Sequence, residues 1–518
     1  YAAAKLDETP AEKADTNQRH SEYYLGLLGQ LNGKLRGPAA REAIEQIEEE
    51  YENIRLAWSW AVNHEEMDQI RAAIIPLLVY HTVSHRELES AEVFQAAVDA
   101  AKRKHSQAPS DLLAKLTMTL LTAIQSQIHS FMDEDEEAQS LRKTCLEMAV
   151  SLPATLEKGI ALMLIDFGYG LIETSDSLQL YWESLEIFRN LGDSWAAGLA
   201  HQNWAGIAMQ REFDPLLARH LYQEGLEIFR ELGDRFGMTL CLNGLAFVAY
   251  WIGEYDEARR LSLECIDIIK ETKDPWAMMS IRLALGQIAV DLGEYEEAIR
   301  NYRENIAFLK EMGQRRLLAV HYDCLGYVEY LRGHYDTAEQ LDLRSLDLYG
   351  QIGDRNGIAM ALNNLGDNMQ ALGDYAKARE YYLESLEMLT EQSNHWAVTK
   401  CLKNLGRLSF ARGEYEQSNE YYRQALQSGV QSERLSEMLE IFFGLARLAA
   451  QEQNLERAIE ILALVESHPA VTREVRQEAE QMLAVVEDQV QGQLNGDEIQ
   501  AIKQRGKAKD LSTWLAEF

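Results

Sequence analysis

Polar and apolar residues between positions 362 and 391 follow the spacing of two helices that each bury one face. Ala378 and Tyr382 lie four residues apart, so a helix would place a small and a large contact residue on the same side. Gly373 comes before them and interrupts the pattern. Because glycine readily takes the left-handed conformation with which many helices end, this stretch predicts an antiparallel helix pair.

The same helix pair recurs along the chain with a period of 40 residues. A Gly-x-Tyr marker starts at five equally spaced glycines: Gly253, Gly293, Gly333, Gly373 and Gly413. A Leu-Gly pair precedes four of these markers, at Leu285-Gly286, Leu325-Gly326, Leu365-Gly366 and Leu405-Gly406. Successive units are separated by Gly-Asp pairs such as Gly353-Asp354, in which the aspartate is suited to cap the next helix. A fixed period of this length indicates a stacked repeat array.

These markers resemble the tetratricopeptide repeat pattern, in which Leu-Gly is followed by Gly-x-Tyr and then by alanine and an aromatic residue. The period of 40 residues exceeds the usual length of about 34 and is similar to that of a long-helix subtype found in bacterial sensor proteins. The resemblance implies an all-α fold. We therefore expect a right-handed superhelical solenoid of antiparallel helix pairs.

We expect four segments along the chain. Residues 1–63 form a helical connector, 64–191 degenerate repeats, 192–470 the regular array, and 471–518 the C-terminal capping helices. The sequence SLEIFRNLGD, which ends at Asp193, is echoed by GLEIFRELGD, which ends at Asp234. This shared second helix joins the degenerate and regular repeats.

The connector contains a second resemblance. Residues 35–58, together with Trp60, resemble the element that follows the winged helix in STAND proteins, the multidomain signal-transducing NTPases. The matching residues are Arg36-Gly37-Pro38, Asn53, Arg55, Trp58 and Trp60. The resemblance implies a sensor domain of a bacterial signal-transduction or transcription regulator. Because no phosphate-binding loop is present, we expect the NTPase module to lie outside these residues, in a longer parent protein. The alternative is a simple helix pair that caps the repeats.

Composition and charge narrow the range of partners. The chain has 50 lysines and arginines against 83 aspartates and glutamates, a formal charge of −33 that disfavours direct contact with a nucleic-acid backbone. Its 5 cysteines are odd in number and widely spaced, as expected for buried free thiols in a reducing compartment. No apolar stretch approaches the length of a membrane span. We expect a cytoplasmic protein that does not contact membranes.

Candidate catalytic and metal-binding motifs are weak. His81 and His85 would share a helix face, but no third ligand is evident. The Gly-x-Gly at Gly168–Gly170 lacks the preceding strand and third glycine of a dinucleotide site, and no phosphate-binding loop is present. We therefore expect no metal, no cofactor, no catalytic residue and no enzymatic activity in this chain.

The residues that vary between units lie on the first helix of each pair, in a stripe spaced i, i+4, i+7. In tetratricopeptide arrays this helix lines the concave side, and the stripe predicts the binding residues. These are Asn243, Phe247, Tyr250, Gln287, Asp323, Tyr327, Tyr330, Asn363, Asp367, Gln370, Lys400, Lys403, Arg407, Phe410 and Arg447. We expect Lys403 and Arg407 to hold an anionic small molecule or an acidic peptide end. The alternative is an inner face that is simply solvated.

Two functions are compatible with this pattern. The favoured one is a sensor whose groove binds a protein, peptide or small-molecule effector and thereby controls the NTPase module of the parent protein. The alternative is a constitutive scaffold that holds a partner peptide or helix. A phosphate-binding loop and winged helix encoded upstream of Tyr1 would favour the first.

Overall fold

The computed structural model describes residues 10–84, 86–131, 135–165, 174–210, 214–391, 395–432, 435–468, 471–490, 493–509 and 511–517. These ranges contain 26 α-helices and no β-strand, which confirms the predicted all-α class. No helix in them is both long and apolar enough to cross a membrane.

The helices are numbered here in chain order. The first twelve are α1 (Pro10–Leu35), α2 (Ala40–Glu49), α3 (Tyr51–Asn63), α4 (Met67–Val83), α5 (Glu87–Gln107), α6 (Leu112–Phe131), α7 (Asp135–Ala149), α8 (Leu156–Ile165), α9 (Thr174–Leu191), α10 (Ser194–Gln210), α11 (Pro215–Leu232) and α12 (Arg235–Trp251). The others are α13 (Tyr255–Thr272), α14 (Pro275–Asp291), α15 (Tyr295–Glu311), α16 (Arg315–Leu331), α17 (Tyr335–Ile352), α18 (Arg355–Ala371), α19 (Tyr375–Glu391), α20 (His395–Ala411), α21 (Tyr415–Ser432), α22 (Leu435–Gln451), α23 (Leu455–Ser467), α24 (Arg473–Val490), α25 (Gly496–Ala508) and α26 (Leu511–Ala516).

The chain packs into two compact units. The N-terminal unit comprises Tyr1–Val248 and Arg260–Met278, and the C-terminal unit comprises Ala249–Arg259 and Met279–Phe518. The four segments expected from the sequence remain a prediction.

In the N-terminal unit, the connector motif packs against the ends of later helices. The guanidinium of Arg36 lies 4.4 Å from the ring centroid of Trp195 and forms an ion pair of 3.1 Å with Asp193. Trp195 in turn donates its indole N–H to Asp234 over 2.9 Å. Asp193 and Asp234 each precede a helix, α10 and α12. The motif therefore joins the connector to two consecutive turns of the helical array.

The C-terminal unit contains regular pairs, each made of a first helix (α14, α16, α18, α20, α22) and a second helix (α15, α17, α19, α21, α23). The turn inside a pair has the predicted glycine stop. Gly373 has a φ of +84°, and Gln453 adopts the same left-handed conformation at +62° where glycine is missing from the last pair. The turn between pairs carries the predicted cap, since Asp354 accepts a hydrogen bond of 3.0 Å from the Gly357 N–H.

In the pairs α14/α15, α18/α19 and α20/α21, a glycine on the first helix packs against a tyrosine on the second. The Tyr382 ring lies so close to Gly366 that a Cβ there would be 2.5 Å from it. Tyr302 on Gly286 and Tyr422 on Gly406 repeat this arrangement. The pair α16/α17 departs from it, because Asp342 occupies the tyrosine position against Gly326.

The C-terminal helices close the array. Trp514 is fully buried, and its ring packs edge-to-face on Phe442 at 5.9 Å between centroids. Gly506 lies against the backbone of Glu460, where a Cβ would come within 2.1 Å of the carbonyl oxygen. Gly506 thus permits the close approach of α25 to α23.

The cysteines are free thiols, as predicted. Cys145, Cys241, Cys265 and Cys401 are buried, and Cys324 is partly buried. Burial raises the pKa of the Cys401 thiol to about 12, so this group stays protonated and unreactive at neutral pH.

Candidate binding face on the first helices

The predicted binding residues lie on the first helices, and all except Asn243 and Phe247 belong to the C-terminal unit. Within the C-terminal unit, Arg407 on α20 pairs with Asp367 on α18, and Lys403 on α20 pairs with Glu440 on α22. The predicted residues of this unit are here called the first-helix face. In the N-terminal unit, Phe247 is 46% exposed and Asn243 is partly exposed on α12.

Asp367 is the centre of a polar network on this face. It accepts hydrogen bonds from the Tyr382 hydroxyl (2.7 Å), the Asn404 amide (3.2 Å) and the Arg407 guanidinium (2.5 Å). Gln370 also accepts from Tyr382, over 3.3 Å. This network holds the Arg407 guanidinium against α18.

Asn363 belongs to the same region. The side chain is buried, and its amide oxygen accepts from Asn404 over 3.3 Å. The amide nitrogen has no protein partner. A buried donor of this kind gains stability from any acceptor that a ligand brings to it.

The remaining cations of the face also have partners. Lys403 forms an ion pair with Glu440, and Lys400 donates to the Asn364 side chain over 3.1 Å. Arg447 covers the Phe410 ring at 4.4 Å from its centroid. An anionic ligand group at Lys403 and Arg407 must therefore compete with Glu440 and Asp367, and the expected anion site stays a prediction.

Aromatic rings occupy the part of the face nearer α14. Tyr327 and Tyr330 on α16 are stacked, with centroids 6.4 Å apart and an interplanar angle of 13°. Tyr327 is 47% exposed, so this ring is not used to pack the core of the repeats. Gln287 on α14 is partly buried. This part of the face thus offers stacking surface to a ligand.

Sequence reasoning missed three residues of the region: Asp291, Asn404 and Asp342. Asp291 is the last residue of α14, and the Tyr250 hydroxyl is close enough to lower its pKa against the effect of burial. Asp342 lies on a second helix, which the sequence reading treated as outside the site. The sequence does mark Asp342, because it is the one aspartate in a series at 40-residue intervals whose other members are Tyr302, Tyr382 and Tyr422.

Two carboxylates interact at this face, Asp342, which is buried, and Asp323, which is partly buried. Asp342 is 1% exposed and accepts from the Asn368 amide over 2.6 Å. Asp323 accepts from the Tyr349 hydroxyl over 3.0 Å and from Ser345. Burial raises the pKa of Asp323 to about 6, although both hydrogen bonds and nearby Lys400 oppose the rise. Burial also raises the pKa of Asp342, and the charge of Asp323 adds to this effect.

Asp323→Asn is expected to stabilise the protein at pH 8 by about 2 kcal/mol and to have little effect at pH 4. The folded state binds a proton at Asp323 more tightly than the unfolded state, so ionisation costs stability as pH rises from about 4 to 6. Asparagine lacks this cost. Urea unfolding at both pH values, with exposed Asp336→Asn as control, measures the difference. Equal effects at the two pH values would contradict the assignment.

The histidine pair and the Gly-x-Gly motif were weak candidates for a metal or dinucleotide site in the sequence. His81 is buried, and its Nε2 lies 2.9 Å from the Tyr51 hydroxyl, a contact between core residues. His85 and Gly168–Gly170 lie outside the described residues. Within the described part of the chain, no group of three or more His, Cys, Asp or Glu side chains is arranged to hold a metal ion.

Comparison with known families identifies the regular part of the chain. Family models described as tetratricopeptide repeat match residues 238–311, 317–391 and 398–431. These segments are tetratricopeptide repeats. Such repeats imply a protein-binding role. A search of curated proteins finds no match.

A search of solved structures finds several chains similar to this one. One is a Rap protein complexed with competence and sporulation factor, at 15% identity over 73% of this chain and 99% of that one, with a TM-score of 0.46. A second is a STAND protein with a tetratricopeptide repeat sensor from Pyrococcus horikoshii, at 15% identity over 82% and 73%, with a TM-score of 0.39. A third is BtubC from P. vanneervenii, at 22% identity over 43% and 92%, with a TM-score of 0.39.

Proposed function

We propose that this chain is the sensor domain of a STAND-type regulator in a bacterial cytoplasm, and that its first-helix face binds a peptide effector. The observation that carries the proposal is the stacked Tyr327–Tyr330 pair, in which Tyr327 is exposed, together with the buried amides of Asn363 and Asn404 on the next two first helices of a tetratricopeptide repeat array. Aromatic rings supply contact area at little entropic cost, and amides match the donors and acceptors of a peptide backbone.

The connector supports the regulatory part of the proposal. Arg36 is mostly buried, is stacked on Trp195 and is ion-paired with Asp193. A rearrangement of the helix ends that carry these two residues therefore moves the connector with them. In a STAND protein this connector leads to the NTPase module, so effector binding would act by shifting the equilibrium between two arrangements of the parent protein. The chain itself contributes binding and no catalysis.

A phage-displayed peptide library tests the binding role. We expect selection on the purified chain to enrich peptides whose affinity falls at least tenfold in Tyr327→Ala/Tyr330→Ala. The matched control is Leu343→Ala on second helix α17, a residue that is 45% exposed and is expected to leave binding unchanged. Peptides that bind the double variant and the wild type with equal affinity would show that the binding site does not include Tyr327 and Tyr330.

The regulatory role has a separate test. The reading frame upstream of Tyr1 is expected to encode a phosphate-binding loop and a winged helix. If it encodes neither, the remaining function is a constitutive scaffold that binds a partner peptide or helix. One observation favours this second function: Lys403 and Arg407 are already paired with carboxylates of the same face.

A further inference from the structure

Asp342 occupies a position at which the other regular repeats carry a tyrosine. Tyr302, Tyr382 and Tyr422 each pack on a glycine of the preceding first helix, and Asp342 meets Gly326 in the same way, with its Oδ1 atom against the glycine. The glycine that accommodates a ring is therefore kept, while the ring is replaced by a carboxyl group. A carboxylate gains nothing from contact with a glycine, so packing does not account for the aspartate.

The carboxyl group of Asp342 is enclosed, and only one of its oxygens has a partner. Asp342 is 1% exposed, and its Oδ2 atom accepts a hydrogen bond of 2.6 Å from the Asn368 Nδ2 atom on α18. Among the described residues, no donor reaches its Oδ1 atom, and none reaches the side-chain oxygen of Asn368, which is also buried. The two unsatisfied oxygens thus belong to two groups that are already joined by a hydrogen bond.

The charged groups around Asp342 leave it without a counter-ion. Asp323 on α16 and Asp367 on α18 are acidic, and Asp367 is itself paired with Arg407. Lys400 on α20 is a cation that acts on Asp342, but its ammonium group donates to a side chain of α18 over 3.1 Å. In the described part of the chain, no basic side chain forms an ion pair with Asp342.

A single proton would satisfy both unsatisfied oxygens. An ionised Asp342 has no hydrogen atom to donate, so both oxygens stay buried without a donor, at a cost in stability. A carboxylic acid and a primary amide are complementary, because the acid O–H donates to the amide oxygen while the amide N–H donates to the other acid oxygen. The hydrogen bond from Asn368 already supplies the second of these. Burial and the charge of Asp323 favour the protonated state too, since both raise the pKa of Asp342.

We propose that Asp342 is a neutral carboxylic acid in the folded protein at pH 7 and forms with Asn368 a proton-dependent contact between α17 and α18. This contact adjoins the first-helix face, because Gly326 precedes Tyr327 on α16 and Asn368 follows Asp367 on α18. Ionisation at higher pH removes the donor and leaves a buried charge, so the contact between these two repeats weakens as pH rises. The inference does not depend on the proposed peptide-binding function.

Infrared spectroscopy tests for the proton directly. The wild type at pH 7 is expected to show the C=O stretching band of a protonated carboxyl group, which shifts in D2O. The band is expected to disappear in Asp342→Asn, whose amide can still donate to the Asn368 oxygen, and to persist in the control Asp336→Asn, an exposed residue on α17. A wild-type spectrum without the band, which involves no variant, would overturn the inference. So would a band of unchanged intensity in folded Asp342→Asn.

Urea unfolding measures the consequence for stability. A carboxyl group that stays protonated only in the folded state makes unfolding tenfold more favourable for each pH unit above the pKa of the unfolded chain, about 4. Between pH 5 and pH 7, the unfolding equilibrium constant of the wild type is therefore expected to rise about a hundredfold relative to that of Asp342→Asn. A ratio that is constant over this range would show that Asp342 is already ionised when folded, and would overturn the inference.

Asn368→Ala is the second variant, and it serves if Asp342→Asn does not fold. This change removes the partner of the acid, so the carboxyl band is expected to move to higher frequency as its hydrogen bonds are lost. A band that stays at the wild-type frequency in Asn368→Ala would show that the protonated group is not paired with Asn368, and the proposed contact would be wrong.

Discussion

Trp514→Ala is expected to destabilise the C-terminal helices by about 3–5 kcal/mol. The Trp514 side chain is completely buried against Phe442. The cationic groups of Arg457 and Lys509 each lie 4.5 Å from the ring centroid, and the indole N–H donates to the Gly506 carbonyl over 3.4 Å. Alanine removes the ring and leaves a cavity among α22, α23 and α25 that the backbone cannot close.

Hydrogen exchange and urea unfolding together measure this effect. We expect faster exchange of the backbone amides in α25 and α23, because loss of the ring unlocks the helices packed around it. Val485→Ala on α24 is the control, since Val485 is 57% exposed and its truncation is expected to change stability by less than about 0.5 kcal/mol. Exchange in Trp514→Ala that matches the control would show that α26 does not hold the end of the array.

The repeat fold could be predicted because the residues that end its helices act through local backbone conformation. A left-handed residue is needed at each turn within a pair, and glycine meets that need at the least cost, so Gly373 marks the turn in the sequence itself. The regular period also located the last turn correctly where Gln453 replaces glycine. The backbone geometry there is set by the packed helices on either side, which override the preference of the residue.

The candidate site was predictable as a set of positions and much less so as a set of contacts. Asp367 and Arg407 were both placed in the stripe, and they are 40 residues apart, the length of one repeat. Equivalent positions on neighbouring first helices lie side by side, so the period alone implies that they can pair. The pairing of Lys403 with Glu440 follows the same logic with a shift of about one turn.

Other contacts depend on tertiary packing that no local pattern records. Asp291 lies at the end of α14 and was not among the predicted residues, and Tyr250, which affects its pKa, belongs to another helix. Arg36 was singled out by the connector resemblance, but its partner Asp193 is 157 residues away in the chain. Sequence spacing cannot identify a partner at that distance without the fold.

Gly366→Ala is expected to destabilise the C-terminal unit by about 3 kcal/mol, because the added methyl group overlaps a ring that has nowhere to move. A Cβ at this position would lie 2.5 Å from one ring carbon of Tyr382 and 2.7 Å from another. The Tyr382 ring is fully buried, and its hydroxyl is held by Asp367 and Gln370. Relief of the overlap therefore requires α18 and α19 to separate.

The matched control for this variant is Gly350→Ala on α17, where a Cβ meets no atom within 4 Å. That substitution is expected to leave stability unchanged or to raise it by up to about 1 kcal/mol, since alanine favours the helix over glycine. Thermal unfolding followed by circular dichroism compares the two variants. Because the clash is specific to the ring, Gly366→Ala/Tyr382→Leu is expected to be more stable than the sum of its single changes predicts. Additive effects in this double-mutant cycle would mean that Gly366 is required for a reason other than its contact with Tyr382.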